Sequence, residues 1–258
     1  MRRHASVGRY DIGILVLCVA FTLVSLGAVS SRGRTRAKEA VCRAHLGQWA
    51  SVFDSFTQDH DNLFFRSEAG IKGTWWIEAL WSYHEDAGLL LCPSVPELSP
   101  DSPPAYLAWR TAGYTGSYGL NGWVSDPWLD TSRNQYTPFW RTPRVWHAER
   151  VPVFADMFWV DAWPTSTDVP AATEQQFPAG GGLNEMQRVC INRHDGVVNV
   201  LFMDGSVRKV GLKELWALKW SPAYNTAGPW TIAGGVTATD WPEWMRQFKE
   251  CEGSEVDY

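Results

Sequence analysis

Hydrophobic and polar positions divide the chain into one long helical stretch and a following domain of shorter elements. Residues 12–29 run for eighteen positions without a charge. At about 1.5 Å per residue, a helix of that length just spans a bilayer. From Arg34 to Gln58 apolar residues recur at steps of three and four, with charges between them, which is typical of an amphipathic helix. The two patterns predict a single helix, half in lipid and half packed on a domain.

Three shorter elements are predicted in the rest of the chain. Residues 75–84 place apolar side chains on one face of a short helix. Between Val197 and Val210, two runs rich in β-branched residues flank Asp204-Gly205, a dipeptide suited to a two-residue turn with positive φ, which predicts an antiparallel hairpin. Residues 213–220 follow as a second short helix. Helices next to an antiparallel sheet indicate an α+β fold.

The apolar stretch near the amino terminus has two interpretations. As an anchor, it divides the chain into a leader at 1–11, a transmembrane helix at 12–30 and an exported domain at 31–258. As a secretory signal, it would be removed after the small residues Ala28-Val29-Ser30. Arginines lie on both sides of it, so the distribution of positive charge does not choose an orientation. Both interpretations export the rest of the chain.

Composition excludes several classes of protein. With 20% charged residues and a net charge of −5, the chain has no general basic surface, so no nucleic-acid partner is expected. A hydrophobic share of 45% and 16 tryptophans exclude intrinsic disorder. Exposed indole rings also stack on sugars, so a glycan-binding module is the alternative function. Its candidate stacking residues lie in loop-like segments: Trp123, Trp128, Trp140, Trp146, Trp159 and Trp163.

Cysteine usage agrees with export. Of the five cysteines, Cys18 lies in the apolar stretch, which leaves an even set of four that suits an oxidising compartment. The alternative is a set of buried free thiols in a cytosolic domain. No Cys-x-x-Cys pair occurs, so a structural zinc site is not expected. No metal and no other cofactor is predicted.

The region around the predicted hairpin resembles a known family. His194 is followed by nine residues and then by Asp204-Gly205, and the segment NRHDGVVNVLFMDGSVRKV resembles the carboxy-terminal H-X9-DG element of prepilin-like proteins. Supporting segments occur in the same order along the chain: CRAHL at 42–46, TWWIEALWSY at 74–83, LCPS at 91–94, SYGLNGW at 117–123, VPVFAD at 151–156 and LWALKW at 215–220.

The resemblance implies a pseudopilin-like architecture and a non-enzymatic role. An amino-terminal helix would sit in the bacterial inner membrane, continue outward and pack on an antiparallel sheet in the periplasm or at the cell surface. Members of this class assemble with other pilin-like subunits into type II secretion-like or type IV pilus-like machines, with the membrane helices bundled at the centre. The expected partners are therefore the membrane and other subunits of such a machine.

The amino terminus departs from the family pattern. Family members usually carry a glycine followed by Phe-Thr-Leu-Ile-Glu, and a prepilin peptidase cuts after the glycine and methylates the new terminus. Here the candidate processing site is Gly8, and Arg9 would become the terminal residue. Gly13 stands where the acid five residues after the cut would be, so the usual pairing of that acid with a neighbouring amino group is missing. Processing and polymerisation stay open.

Two sets of residues invite a more specific chemical interpretation. For the cysteines we predict a disulfide between Cys42 and Cys92 and a second between Cys190 and Cys251, each contributing roughly 2–4 kcal/mol. His194, Asp195 and Asp204 are residue types that bind metals or move protons. A structural role is favoured, because the turn explains Asp204 and no third converging group is evident. Catalytic residues are therefore not predicted.

Overall fold

The computed structural model describes residues 9–66, 75–95, 107–127, 139–176 and 184–253. Within the first helix, side chains are described at 13–24 and 33–59. The fold class is α+β, as predicted. The candidate processing residue Gly8 and one candidate stacking residue, Trp128, lie outside the described residues.

Helix α1 is the dominant element and extends from Arg9 to Asp59, 51 residues. The predicted helix over 34–58 is thus confirmed as the second half of one continuous helix. Its inward stripe repeats at helical spacing and is buried, while side chains at 13–24 are exposed. Among the helices in the described part of the chain, none combines the length and the apolar character needed to cross a membrane. The transmembrane segment at 12–30 stays a prediction.

Helix α2 and a set of 3₁₀ turns cover the remaining edges of the domain. Helix α2 extends from Trp76 to His84, which confirms the predicted second helix, and it packs against α1. The short helix predicted at 213–220 is a 3₁₀ helix, Lys213–Ala217. It is shorter than predicted because Leu218 adopts an extended conformation. Further 3₁₀ turns are Ala87–Leu90, Ala148–Arg150, Glu185–Arg188 and Glu243–Met245.

In the described part of the chain, seven strands form two sheets. Strands β1 and β2 make a small antiparallel hairpin, and the other five form the main sheet in the order β5-β3-β4-β6-β7. Neighbours in the main sheet are antiparallel except for β3 and β5, which are parallel. The strands are β1 Trp109–Thr111, β2 Tyr114–Gly116, β3 Tyr118–Asn121, β4 Pro152–Asp156, β5 Asp161–Ala162, β6 Val197–Phe202 and β7 Val207–Gly211.

The predicted hairpin is confirmed as β6 and β7, with Val197 opposite Gly211 and Leu201 opposite Val207. Gly205 has a φ of +81°, a conformation that an L-residue with a Cβ adopts only at a cost. Asp204 caps the turn, since its Oδ1 accepts hydrogen bonds from the amide and the hydroxyl of Ser206. The turn chemistry read from the sequence therefore sets the register of these two strands.

The main sheet has a hydrophobic layer on each face. Alternation along β6 directs Asn199 and Leu201 towards α1 and directs Val198, Val200 and Phe202 to the opposite face. The helix-side layer contains the stripe of α1 together with α2, and the tail-side layer contains the segments after β7. Both layers are closed by fully buried tryptophans: Trp49 and Trp76 on the helix side, and Trp216, Trp220 and Trp241 on the tail side.

Candidate functional site

Four metal-ligand side chains from distant parts of the chain meet beneath helix α1. They are Cys42, Cys92, Asp156 and His194, and one ligand atom from each lies within 4.8 Å of all the others. Cys42 and Asp156 are completely buried, and the side chain of His194 is 3% exposed. The chain therefore encloses two thiols, a carboxylate and an imidazole in one small volume.

Helix α1 supplies the first cysteine. Cys42 lies one turn before Leu46 on the buried stripe that continues to Trp49. The Trp49 ring packs on the Phe154 ring of β4, with 4.9 Å between ring centroids. Because that contact fixes how α1 lies across the sheet, it also fixes the direction in which the Cys42 thiol points. The same helical periodicity that builds the core thus places Cys42 over the end of β4.

A short turn after α2 supplies the second cysteine. The 3₁₀ helix Ala87–Leu90 ends just before Cys92, whose amide donates to Ser117 Oγ at 2.7 Å. Ser117 in turn donates its amide to the Leu90 carbonyl at 2.8 Å. The turn that follows directs the Ser94 amide towards Cys92 Sγ, 3.4 Å away. These bonds hold the second thiol at the start of β3, opposite Cys42.

Strand β4 supplies the carboxylate. Asp156 is the last residue of β4, and strand alternation places it on the same side as Phe154, facing α1. Its Oδ2 lies 3.3 Å from Cys42 Sγ. The Nδ2 of Asn199 on β6 contacts both groups, at 3.3 Å from Cys42 Sγ and 3.4 Å from Asp156 Oδ2. The carboxylate is therefore held from two strands and the helix.

A tight turn before β6 supplies the imidazole and a guanidinium side by side. Asp195 and Gly196 both have positive φ, which turns the chain sharply just ahead of the strand. His194 Nε2 lies 2.8 Å from Asp156 Oδ2, and Arg193 Nη1 lies 3.2 Å from Asp156 Oδ1. Each oxygen of the carboxylate thus has its own cationic neighbour, and only Oδ2 faces the two thiols.

Burial and charge act in opposite directions on this ion pair. Burial by itself would raise the pKa of Asp156, but the hydrogen bond and charge of His194, with the charge of Arg193, hold that pKa below its ordinary value. Burial lowers the pKa of His194, but Asp156 and Cys92 together outweigh burial and raise that pKa to about 9. Without any further ligand, His194 is therefore an imidazolium at neutral pH.

The pKa values of the two thiols are shifted in opposite directions. The hydrogen bond from Cys42, helped by the neighbouring His194, lowers the pKa of Cys92 to about 6 although burial opposes it. The pKa of Cys42 is raised, by its hydrogen bond to Cys92 and by burial. His194 Nε2 lies 3.5 Å from Cys92 Sγ and 3.6 Å from Cys42 Sγ. Cys92 is therefore the more acidic of the two thiols, and it lies next to the His194 imidazole.

The four side chains can bind a metal ion or undergo thiol chemistry, but they are too enclosed to act on a substrate. A thiolate beside an imidazolium resembles the pair used by cysteine nucleophiles. A substrate must reach such a nucleophile, however, and the four side chains are almost fully enclosed by α1, β3, β4 and β6. The chemistry open to them is therefore ligation of a small ion or a bond between the two sulfurs.

The H-X9-DG residues do not form one site. His194 joins the buried cluster with Cys42 and Cys92, whereas the carboxylate of Asp204 bonds Ser206 in the exposed hairpin turn beside Gly205. The structural interpretation of Asp204 agrees with these contacts. A structural role for His194 is based on its position just before the first strand, where it could bond the backbone of the adjoining loop; its partner is instead the side chain of Asp156. The sequence placed His194 correctly before the strand but not its partner.

The structure differs from both predicted disulfides, since all four of these cysteines are free thiols. Cys42 and Cys92 do come together, each facing His194. Cys190 is buried in the tail-side layer, where its Sγ lies 4.0 Å from the Leu212 carbonyl. Cys251 is half-buried, and its carbonyl accepts the amide of Ile232. The sulfurs of the first pair lie within 4.8 Å of each other, and the residues of the second pair make separate contacts.

Most of the described candidate stacking tryptophans are engaged within the fold. Trp140 is buried and donates to the Trp220 carbonyl, and Trp123 donates to the Pro164 carbonyl and packs against Trp163. Trp159 lies half-buried beside Arg188. In contrast, Trp146 is 82% exposed. One of the five described rings therefore offers a full face to a ligand, and the stacking hypothesis stays a prediction.

Sequence reasoning missed the residues that complete the cluster. Asp156 lies in the VPVFAD segment, where an acid at the end of an apolar strand is the one available signal. Arg193 and Asn199 lie in the segment that resembles the H-X9-DG element but are not its named residues, and both are buried polar residues that face Asp156. We expected no structural zinc site because the sequence has no Cys-x-x-Cys pair. In the structure, the four residues that could bind a metal each come from a different segment.

Comparison with known proteins returns no relative: no family model, no curated protein and no solved structure matches this chain. The function is therefore inferred from the chain's own residues and from the way in which the fold arranges them.

Proposed function

We propose that the protein is a non-enzymatic, pseudopilin-like subunit of a type II secretion-like or type IV pilus-like assembly. In this role the first half of α1 is held in the bacterial inner membrane and bundles with the helices of other subunits. The second half of α1 and the main sheet form the domain outside the membrane. Two observations support the proposal. The hairpin region resembles the H-X9-DG element of prepilin-like proteins, and α1 has an exposed apolar first half and a second half that packs on the sheet.

The observation that carries the proposal is the exposed apolar face of the first half of α1. Its large apolar side chains are between 49% and 73% exposed, and no other described segment of the chain covers them: Ile14, Leu15, Val16, Leu17, Val19, Phe21, Leu23 and Val24. Contiguous exposed apolar surface of this kind marks an interface with lipid or with another protein. The neighbours in this proposal are the acyl chains and the helices of other subunits.

The second half of α1 supports the same role. It packs its stripe on β6 and β7, and Glu39 forms an ion pair with Lys209 on β7. One continuous helix contains both halves, so the domain is joined to the exposed apolar segment without an intervening loop. This arrangement suits a subunit that is positioned by its helix. The enclosed cysteine cluster, which no substrate reaches, agrees with a non-enzymatic role.

The first experiment is to fractionate an expressing bacterial host and to determine the intact mass and the amino terminus of the full-length protein. We expect the protein in the inner-membrane fraction, released by detergent and not by high salt. A chain that begins at Arg9 with an added methyl group would support prepilin processing. A soluble chain that begins near Ser31 would contradict the proposal, because α1 would then contain only an export signal.

A cross-linking experiment tests the bundling of the helices. Cys18 is an exposed cysteine in the apolar half of α1, so it reports on close neighbours there. Mild oxidation of membranes should yield a covalent dimer of the wild type. The Cys18→Ser variant should yield none, while the Cys251→Ser variant serves as the matched control and should still cross-link. A wild type that stays monomeric at all protein levels would contradict assembly through α1.

A further inference from the structure

We propose that Cys42, Cys92, Asp156 and His194 form a structural zinc site that ties helix α1 to the main sheet. The inference does not depend on the proposed assembly role, because it rests only on the side chains of the domain. The ligand would be a single Zn²⁺ ion, bound by two thiolates, one imidazole nitrogen and one carboxylate oxygen. Each ligand comes from a different segment of the fold.

The distances agree with a tetrahedral ion. Bond lengths of about 2.0–2.3 Å to zinc place neighbouring ligand atoms roughly 3.3–3.8 Å apart in a tetrahedron. Cys42 Sγ lies 3.3 Å from Asp156 Oδ2 and 3.6 Å from His194 Nε2, and Cys92 Sγ lies 3.5 Å from the same nitrogen. The separation of Nε2 and Oδ2, 2.8 Å, is that of a hydrogen bond. Metal binding would replace that hydrogen bond, so this pair would separate slightly.

The donor set selects the metal. Thiolates are soft ligands that favour zinc and copper(I) over calcium or magnesium. The carboxylate of Asp156 is a hard ligand that suits zinc and not copper(I), and two cysteines are too few for the usual iron–sulfur clusters. Four protein ligands with nitrogen, oxygen and sulfur donors are within the range of structural zinc sites.

The surroundings are those of a closed site with compensated charge. Two thiolates and one carboxylate carry three negative charges, which a divalent cation and the Arg193 guanidinium would balance. Arg193 bonds the carboxylate oxygen that faces away from the thiols, and the Asn199 amide and the Ser94 amide donate to the two sulfurs. Such outer contacts orient the ligands of metal sites. Because all four positions are filled and buried, the site would be structural.

The test uses the full-length protein, purified in detergent under reducing conditions. Elemental analysis after dialysis should give one zinc per chain. After removal of the metal with a strong chelator, Co²⁺ serves as the spectroscopic probe. We expect a thiolate-to-cobalt charge-transfer band together with the intense visible bands of tetrahedral cobalt, both lost on addition of one equivalent of Zn²⁺.

Variants separate the ligands from the other thiols. Cys92→Ser should lower the affinity for Co²⁺ more than about 100-fold, since loss of a ligand exceeds the 10–100-fold effect of an outer contact. Asn199→Ala, which removes only an outer contact, should lower it by about 10–100-fold and leave the charge-transfer band in place. Cys190→Ser is the matched control, because Cys190 is an equally buried thiol outside the cluster. Its affinity should equal that of the wild type.

The competing outcome is a disulfide. If Cys42 and Cys92 are joined in the isolated protein, and if the reduced wild type shows no thiolate-to-cobalt band, the proposal is overturned. A cobalt band that survives in Cys92→Ser would also overturn it, because the metal would then lie elsewhere. Should Cys92→Ser fail to fold, His194→Gln replaces it: an affinity for Co²⁺ more than about 100-fold below that of the wild type supports the site, and a wild-type affinity overturns it.

Discussion

The two faces of the main sheet are covered by different kinds of structure. On the helix side, α1 and α2 bury a regular stripe, and the rings of Trp49 and Trp76 pack with a T-shaped geometry at 5.7 Å. On the tail side, 3₁₀ turns and loops bury Trp216 and Trp241, whose rings are 5.4 Å apart. Irregular segments thus bury a face of the sheet as completely as helices do, because large tryptophan rings provide the apolar surface.

Each face also buries a charged group, in unlike settings. On the helix side, Asp156 is fully enclosed between Arg193 and His194. On the tail side, the fully buried amine of Lys213 bonds Glu250, whose side chain is 30% exposed, and lies over the Trp241 ring. Water reaches one partner of the second pair and neither partner of the first. An ion pair that is fully enclosed therefore depends entirely on its protein partners, whereas a pair with one partly exposed partner is also stabilised by water.

The largest difference between the faces should follow from removal of these acids. Asp156→Ala leaves Arg193 buried without a counter-ion and should lower the free energy of unfolding by about 3–5 kcal/mol. Glu250→Gln keeps a hydrogen-bond acceptor near Lys213 at a partly wet site and should cost about 1–3 kcal/mol. Urea denaturation of reduced, metal-free protein measures both. Equal losses would show that enclosure is not the deciding factor.

Two matched leucines compare how the layers pack. Leu46 of α1 and Leu212 of the tail side are both fully buried, and Leu→Ala changes at such positions cost about 2–5 kcal/mol. We expect the Leu46→Ala loss near the upper end, since the helix cannot move into the cavity without displacing its other contacts. Leu212→Ala should lie near the lower end, because short turns can readjust. Urea denaturation measures both losses, and a larger loss for Leu212→Ala than for Leu46→Ala would contradict this expectation.

A change in the hairpin turn should affect both faces equally. Gly205 has positive φ and open space where a Cβ would lie, so Gly205→Ala adds backbone strain of about 1–2 kcal/mol without a clash. Hydrogen exchange should then speed up to a similar degree at amides on either side of β6. If only one layer loosens, the two faces unfold as separate units.

The smallest expected effect is a pH dependence on the tail side. Burial raises the pKa of Glu185, although Arg188 opposes this. A carboxyl with a raised folded-state pKa adds stability that is complete below its ordinary pKa and is lost as the pH rises through the folded value. Wild type should therefore lose stability relative to Glu185→Gln between about pH 4 and pH 7. Thermal melts across that range measure it, and parallel curves for the two proteins would contradict it.

The sequence predicts those parts of the fold that local patterns control. The stripe of α1 and the turn at Asp204-Gly205 are properties of a few neighbouring residues, and both agree with the structure. The cluster is not local, because Cys42 and His194 are 152 positions apart and meet only through the order of the strands. Asp156 lies in the segment VPVFAD, but its role follows from strand alternation in a sheet whose topology the sequence does not display.

Strand β7 lies at the end of the strand order in the main sheet, and its charges have a consequence for self-association. Edge strands offer unpaired backbone groups that can template the addition of another strand, and charged side chains discourage it. On β7, Arg208 and Lys209 are directed to opposite faces, where they pair with Glu214 and with Glu39 of α1. These two charges therefore disfavour edge-to-edge pairing of β7 with the same strand of another copy, the kind of contact on which amyloid-like ribbons are built.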